Sequence, residues 1–283
     1  MEKLFHDPEF IIGENKEPLD PVLAEQIFKE LEEFEGKKIE EIAREYWQYK
    51  NTVDKLKQED IEKDATETRV FDYYSTTPQY LYELGYWEAQ HDKQREYRKL
   101  YLACKKFNLK HVLDYGGGIG GLAIYLNKKG IRCDYLDVPG RTFDFAIFRF
   151  KKRKVPVNFF DVTKFNPSEV SYEAVICYDV LEHVFDIERT VDSICSCLRD
   201  GGIFIHRSTF ATGGIHLRKY ERYQDFNKFN EFICSKRFSF IGRLKPDRIS
   251  ALLNKMGLRD VVLSVRISKR PKYGGNFLLH KKF

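Results

Sequence analysis

The sequence lacks the features that mark membrane and secreted proteins. No apolar run in its 283 residues approaches the roughly 20 residues that a membrane-spanning helix needs. The opening stretch, MEKLFHDPEF, has no basic segment followed by an apolar one, so it does not match a secretory signal peptide. We therefore expect a cytoplasmic protein without a membrane partner.

The six cysteines form no C-x-x-C pair, which argues against a zinc site or a redox pair built from them. They are scattered through apolar stretches, so we predict buried, reduced thiols. Cys195 and Cys197 lie two apart on a predicted helix and point to different sides of it. The cysteines therefore predict no metal site.

Charge is unevenly distributed along the chain. The net charge is +5, but residues 1–70 carry 11 basic and 20 acidic side chains, so the remainder carries +14. A basic body is compatible with an anionic partner such as nucleic acid, and also with a protein that binds none. The stretch RFKKRK, residues 149–154, is predicted to be the solvated end of a helix. The alternative is phosphate contact with RNA, on one surface with HLRKYERY and SKRPKY.

Helical patterns dominate the first part of the chain. Ile27, Leu31 and Phe34 recur at helical spacing, and Gly36 separates this helix from the next. The aromatic block FDYYSTTPQYLYELGYW follows, with Pro78 placed at the first turn of a helix. This block either caps a ligand pocket or packs as ordinary core. We predict a helical N-terminal arm over residues 1–108 and a second domain over 109–283.

From residue 110 the pattern changes to alternating strands and helices. HVLDY, IRCDYLDV, VPVNFFDV, YEAVICYDV and GGIFIHRS are short and mostly apolar, which predicts a parallel sheet with helices on both faces. Two late strands, DVVLSVRI and NFLLHKKF, are joined only by SKRPKYGG. Because parallel strands need a longer crossover, we predict that these two form an antiparallel hairpin.

A glycine-rich loop, GGGIGG, follows the first of these strands. Gly116, Gly118 and Gly121 satisfy the G-x-G-x-x-G pattern of dinucleotide sites. However, Asp114 lies two residues before Gly116, where its carboxylate would repel a pyrophosphate. A carboxylate suits a ligand that carries an ammonium or a sulfonium. Asp114 therefore argues against NAD and for a cationic cofactor.

Two further aspartates end the next two strands. Asp137, 21 residues beyond Gly116, can accept hydrogen bonds from both ribose hydroxyls. Asp161 can accept a hydrogen bond from an adenine amino group, and Val162 can offer its backbone N–H. Aspartate is common at strand ends, but three of them after three successive strands indicate a nucleoside site.

The stretch from Asp114 to Gly120, DYGGGIG, resembles motif I of the class I S-adenosylmethionine (SAM)-dependent methyltransferases. Asp137, Asp161 and the segment YDVLEHV match the next landmarks of that family in order and spacing. The resemblance covers residues 108–283. It implies an α/β, Rossmann-like fold with a seven-stranded, mostly parallel sheet and an antiparallel terminal hairpin, here joined to a helical N-terminal arm or cap.

The resemblance also implies SAM as the cofactor and gives the site residues their roles. Asp114 and the glycines would face the methionine part, Asp137 the ribose, and Asp161 with Val162 the adenine. The implied cofactor-binding residues are Asp114, Gly116, Gly117, Gly118, Asp137, Val138, Asp161, Val162 and Tyr178.

Three histidines are candidate catalytic residues. Methyl transfer from a sulfonium is an in-line displacement, so a base is needed only when the nucleophile must lose a proton. His183 lies in YDVLEHVFD, and His206 and His216 lie at and after the end of the fifth strand. That end of the sheet is where ligands bind in α/β folds.

The segment YDVLEHVFD also raises the question of a metal. On a helix, Asp179, Glu182, His183 and Asp186 would share one face and could ligate a divalent ion. The cluster faintly resembles the metal site of small-RNA 2′-O-methyltransferases and the EH pair of ubiquinone-pathway O-methyltransferases. Its first and last members are Asp, unlike the E-x-x-E-H-x-x-H pattern. We predict no metal.

Together these features predict a SAM-dependent methyltransferase that acts on oxygen, nitrogen or carbon of a small or medium-sized metabolite. The alternatives are an RNA methyltransferase that uses the basic C-terminal two-thirds, and a non-catalytic SAM-fold binding subunit. A dehydrogenase is a further alternative, against which Asp114 counts. The sequence leaves the oligomeric state open.

Overall fold

The structure is a computed structural model that describes residues 19–49, 61, 64–210, 216–256, 262, 264–269 and 277–283. The predictions for residues 1–18, for most of the polar run 55–68, for the glycines at 213 and 214 and for most of the SKRPKYGG link lie outside the described residues. Within them, five helices precede the first strand: α1 (Pro21–Glu35), α2 (Ile39–Tyr49), α3 (Glu67–Thr76), α4 (Pro78–Glu88) and α5 (His91–Lys106).

The ends of α1 follow from its sequence. The side chain of Asp20 accepts hydrogen bonds from the backbone N–H groups of Val22 and Leu23, both at 3.0 Å, and so caps the helix. Gly36 ends it in the left-handed region, with φ 66°. The predicted break at Gly36 is therefore confirmed. Helix α4 begins at Pro78, also as predicted.

Eight strands form one sheet in the order β3-β2-β1-β4-β5-β8-β6-β7. The first five are parallel to one another, and α-helices connect them along the chain except between β3 and β4, which are joined by a short 3-10 turn. The strands are β1 (His111–Tyr115), β2 (Arg132–Asp137), β3 (Phe159–Asp161), β4 (Tyr172–Tyr178), β5 (Leu198–Arg207), β6 (Phe238–Pro246), β7 (Val265–Ser268) and β8 (Leu278–Lys282). The later helices are α6 (Gly121–Lys128), α7 (Arg141–Lys152), α8 (Ile187–Cys197), α9 (Phe226–Ser235) and α10 (Arg248–Lys255).

The α/β, Rossmann-like fold class is confirmed, but two details of the predicted sheet are wrong. The sheet has eight strands rather than seven, because β6 was not recognised in the sequence. The last two strands do not form a hairpin: β8 lies between β5 and β6 and is antiparallel to both, whereas β7 pairs with β6. Insertion between two neighbours buries Leu278 and Leu279.

Alternate residues of the strands pack on opposite faces of the sheet. Leu113 and Val175 belong to the core on one face, and Val112 and Ala174 to the core on the other. A third cluster joins α1, α2 and α4 of the arm to Phe145 of α7. All six cysteines are free thiols, as predicted. Among the described residues, no helix has both the length and the apolar character needed to cross a bilayer.

A buried ion-pair network links the arm to α7. The guanidinium of Arg149 is fully buried and binds the carboxylates of Glu30 at 3.0 Å and Glu88 at 2.6 Å. Arg153 binds Glu30 at 2.6 Å, and Lys152 pairs with Glu33. The prediction that RFKKRK is a solvated helix end is therefore wrong for both arginines. Because both side chains are buried in these ion pairs, neither can contact an RNA phosphate on the surface.

Candidate active site

The glycine loop lies at the carboxyl end of β1 and leads into α6. Gly116 has φ 72°, and a Cβ there would lie 2.5 Å from the side chain of Val180. A Cβ at Gly117 would lie 2.6 Å from the ring of Tyr135 and 2.8 Å from Asp114 Oδ2. Both positions therefore require glycine, because any side chain would collide with the wall of the loop.

Asp114 is buried beneath this loop, with 2% of its surface exposed. Its Oδ2 atom has no hydrogen-bond partner among the described residues. Burial, together with the charge of Asp137, raises the pKa of the Asp114 carboxyl to about 8, although Lys93 opposes the shift. A buried acceptor without a donor is costly, and a cationic ligand group in the cavity would satisfy it.

Asp137 and Asp161 meet at the ends of neighbouring parallel strands, as the sequence predicts. Asp137 accepts hydrogen bonds at 2.6 Å from the N–H groups of Gly118 and Val138, and burial raises its pKa to about 6. Asp161 accepts from the N–H and hydroxyl of Thr163. Asp137 therefore already positions the glycine loop through Gly118.

The role predicted for Val162 needs correction. Its backbone N–H donates to the carbonyl oxygen of Asp137 at 3.0 Å, so it is not available to an adenine ring in this structure. This bond arises where β3 ends beside β2 and the chain turns away. Sequence patterns place a residue after a strand, but they do not show which acceptor its N–H already has.

A cavity of about 450 Å³ opens beside the glycine loop. It lies between the carboxyl ends of β1 and β4 and helices α3, α4 and α5 of the arm. The arm therefore contributes to the pocket and is not packed at a distance from it. The predicted site residues that line it are Asp114, Gly116, Gly117, Gly118, Tyr178, His183 and His216. Four others, Asp137, Val138, Asp161 and Val162, lie at the same edge of the sheet outside this cavity.

Several tyrosines of the arm form one wall. The ring centroids of Tyr73, Tyr74 and Tyr80 lie 5.1 to 6.4 Å apart in edge-on contacts. The Tyr74 ring also contacts His183 at 5.9 Å, and its buried hydroxyl has no hydrogen-bond partner among the described residues. The aromatic block therefore caps the pocket, one of the two interpretations that the sequence allows.

Lys93, on α5, is a cavity residue that sequence reasoning missed. Its ammonium lies 3.6 Å from the centre of the Tyr178 ring, and burial lowers its pKa. The guanidinium of Arg207 lies 4.2 Å from the same ring. Nothing in HDKQREYRK distinguishes Lys93 from the other basic residues of this helix, so no sequence signal could have identified it.

The segment after β4 forms turns rather than a helix. Asp179 has φ 56° and pairs with Arg207 through both carboxylate oxygens, at 3.0 and 2.6 Å. Asp186 caps α8 instead, accepting from the backbone N–H of Arg189. The four residues that could have ligated a metal from one helix face therefore do not come together.

The middle of this segment does face the cavity. Glu182 is buried, and its Oε1 accepts from the backbone N–H of Thr209 at 2.8 Å. Its Oε2 has no hydrogen-bond partner among the described residues. The rings of His183 and His216 lie 4.9 Å apart, although one precedes β5 and the other follows it. Two of the three predicted catalytic histidines are thus brought together.

The third, His206, lies elsewhere. It is fully buried on β5, with Nε2 3.1 Å from Nδ1 of His280 and its ring against Phe204 and Phe229. Burial lowers the pKa of His206 well below its ordinary value, which keeps the ring neutral. His206 does not line the cavity. The prediction that His206 is a catalytic residue is therefore corrected, because this histidine belongs to the core.

Comparison with known protein families is consistent with this geometry. A family model described as a methyltransferase domain matches residues 89–258. The chain belongs to this methyltransferase family. The match includes α5, so this helix of the arm falls within the family's domain.

The chain is similar to solved methyltransferases at low sequence identity. The plantazolicin methyltransferase BpumL, in complex with SAH, is 10% identical, with a TM-score of 0.50 over 81% of this chain and 98% of its own. A SAM-dependent methyltransferase from Clostridium acetobutylicum ATCC 824 is 12% identical, with a TM-score of 0.48 over 67% and 91%. The likeness to BpumL shows a shared fold.

The cofactor of this methyltransferase family is SAM, and the residues present fit it. A buried carboxylate oxygen that receives no hydrogen bond from the described residues lies beside a loop in which Gly116 and Gly117 leave no room for a side chain. An ammonium group would satisfy Asp114, whereas a pyrophosphate would be repelled by it.

Proposed function

We propose that this methyltransferase transfers the methyl group of SAM to a small or medium-sized metabolite held in the cavity. The observation that carries this proposal is a set of three buried polar atoms that have no hydrogen-bond partner within the described part of the chain. Asp114 Oδ2 lies at the glycine loop, and the Tyr74 hydroxyl and Glu182 Oε2 belong to the wall that includes His183. Such atoms are rare in folded proteins and mark places where a ligand completes the hydrogen bonding.

The loop side of the cavity would take the methionine part of SAM. Asp114 would accept from its ammonium group, and Gly116 and Gly117 let the backbone approach it closely. Lys93, whose ammonium lies over the Tyr178 ring in the cavity wall, would face the carboxylate of the same part. Asp137 and Asp161 would contact ribose and adenine.

The opposite side would hold the acceptor. Bound SAM supplies an electrophilic methyl group, and the protein's task is to hold a nucleophile in line with it. His183 and His216 face this part of the cavity and are the residues available to contact the acceptor. The tyrosines of the arm exclude water from the reacting groups.

The RNA alternative receives less support from the contacts. Inside the molecule, Arg149 forms ion pairs with Glu30 and Glu88, and Arg153 forms one with Glu30. A cavity of about 450 Å³ closed by aromatic side chains suits a compact acceptor. A cytoplasmic location belongs to the same proposal, supported by six cysteines that form no disulfide.

The test uses SAM labelled in its methyl group. The protein is incubated with labelled SAM and either a low-mass metabolite extract or total cellular RNA. We expect label to enter the low-mass fraction, and Asp114→Asn to slow this labelling when the SAM concentration is below its Kd. Label found only in RNA would overturn the proposed acceptor class, and label in neither fraction would overturn methyl transfer to either.

A further inference from the structure

The cavity contains a cluster that suits a metal ion. Glu182, His183 and His216 each offer one ligand atom, and these atoms lie within 4.8 Å of one another. An ion between three atoms this far apart would lie at most about 2.8 Å from each, against about 2.0–2.2 Å for zinc. Shifts of each ligand atom by less than about 1 Å, through rotation of the side chains, would therefore complete the coordination.

The position of Glu182 supports this interpretation independently. The side chain is 1% exposed, and Thr209 fixes one of its oxygens. The other oxygen is buried and accepts no hydrogen bond from the described residues. Leaving such an oxygen unsatisfied costs about 1–3 kcal/mol, or more for a charged group. A cation bound to Oε2 removes that cost.

The ligand types indicate the class of ion. Two imidazoles and one carboxylate are typical of catalytic zinc and other divalent transition metals, whereas magnesium prefers oxygen ligands alone. Three protein ligands leave further coordination positions open. His183 and His216 both line the cavity, so the open positions would face the acceptor.

We propose that Glu182, His183 and His216 bind one divalent transition-metal ion, such as zinc, and that an acceptor hydroxyl completes its coordination. This inference rests on the proposed function, and it names the acceptor as one with an ionisable hydroxyl. It overturns our prediction of no metal, with a ligand set that leaves out Asp179 and Asp186, which bind Arg207 and cap α8.

Coordination lowers the pKa of the acceptor hydroxyl, which releases its proton to water. The oxygen lone pair then forms a bond to the methyl carbon as the carbon–sulfur bond of SAM breaks. The electron pair of that bond stays on sulfur, giving S-adenosylhomocysteine and the methyl ether. With the ion bound, the two histidines serve as ligands rather than as bases.

The test measures metal binding directly, on the full chain without a histidine tag. Wild type is dialysed against zinc or cobalt(II), and bound metal is counted by elemental analysis and by the visible spectrum of cobalt. We expect one ion per chain. His183→Ala and His216→Ala should each weaken binding more than about 100-fold, since even indirect partners of a metal ligand contribute 10- to 100-fold.

The control variant is His111→Gln. His111 lies at the amino end of β1, at the opposite edge of the sheet, and pairs with Asp134 at 2.9 Å. It should bind one ion with unchanged affinity. Addition of 4-nitrocatechol, a probe with two adjacent hydroxyls, should alter the cobalt spectrum of wild type and of the control variant.

The outcomes separate this inference from the proposed function. If wild type binds no stoichiometric ion, or binds it equally well after both histidine substitutions, the metal site is refuted. An unchanged cobalt spectrum with 4-nitrocatechol would refute hydroxyl coordination. SAM affinity, measured by calorimetry on the same samples, should persist in every variant. If wild type binds no SAM, the proposed function itself is refuted.

Discussion

Replacement of Arg149 by methionine should release the arm from the catalytic body. Arg149 is fully buried and binds Glu30, Glu88 and the carbonyl oxygen of Ile119. After the change Glu30 still has Arg153, but Glu88 loses its ion-pair partner and is left as a buried, uncompensated carboxylate. Removing one partner of a buried pair costs about 3–5 kcal/mol of unfolding free energy.

The assay is urea denaturation followed by tryptophan fluorescence, since Trp47 and Trp87 both lie in helices of the arm. The double variant Arg149→Met, Glu88→Gln removes the orphan charge and should recover at least about 1.5 kcal/mol of the loss. Lys152→Met is the control: Lys152 and Glu33 form an exposed pair, worth about 1 kcal/mol or less.

Two results would refute this reasoning. One is an Arg149→Met variant that loses no more unfolding free energy than Lys152→Met. The other is a double variant no more stable than the single one. Either would mean that the network does not join arm and body energetically. The arm could then not be treated as a fixed wall of the cavity.

Three further predictions concern the cavity and its surroundings. The pKa of Asp114 in the folded protein, about 8, lies above its unfolded value of about 3.9, so the folded state binds more protons between these values. From pH 5 to 8, the unfolding free energy of wild type should therefore fall, relative to that of Asp114→Asn, by up to about 1.4 kcal/mol per pH unit. If the unfolding free energies of the two proteins change in parallel over this pH range, the burial of this carboxyl group is contradicted. Lys93→Met should weaken SAM binding about 10- to 100-fold by calorimetry, whereas Lys105→Met, exposed on the same helix, should not. His206→Leu should keep SAM affinity unchanged but cost about 1–3 kcal/mol of unfolding free energy, because it leaves the buried Nδ1 of His280 without its hydrogen-bond partner. Loss of SAM binding in this variant would show that His206 belongs to the site after all.

The parallel half of the sheet could be predicted because each of its strands has a recognisable local sequence pattern. An apolar run ends at Asp114, at Asp137 and at Asp161, and parallel strands bring such ends to one edge. The order of the last three strands could not be predicted in this way. Whether β8 pairs with β7 or enters between β5 and β6 depends on long-range packing, which leaves no local pattern.

The site shows the same division. Asp114 was identified by its charge beside the glycines, a property of the sequence alone. Lys93 was missed, because its burial comes from packing of the arm against Tyr178. The segment from Asp179 to Asp186 has helical spacing, yet the ion pair of Asp179 with Arg207 and the capping of α8 by Asp186 accompany a turn instead. Competing tertiary contacts override local periodicity there.

Calorimetry with SAM and with NAD tests the central claim most directly. We predict that wild type binds one equivalent of SAM and no NAD. Asp114→Asn should weaken SAM binding about 10- to 100-fold, the value of a hydrogen bond to a charged group. Asp144→Asn, on the exposed face of α7, is the matched control and should bind as wild type does. Binding of NAD without SAM, or unchanged SAM affinity in Asp114→Asn, would contradict the account.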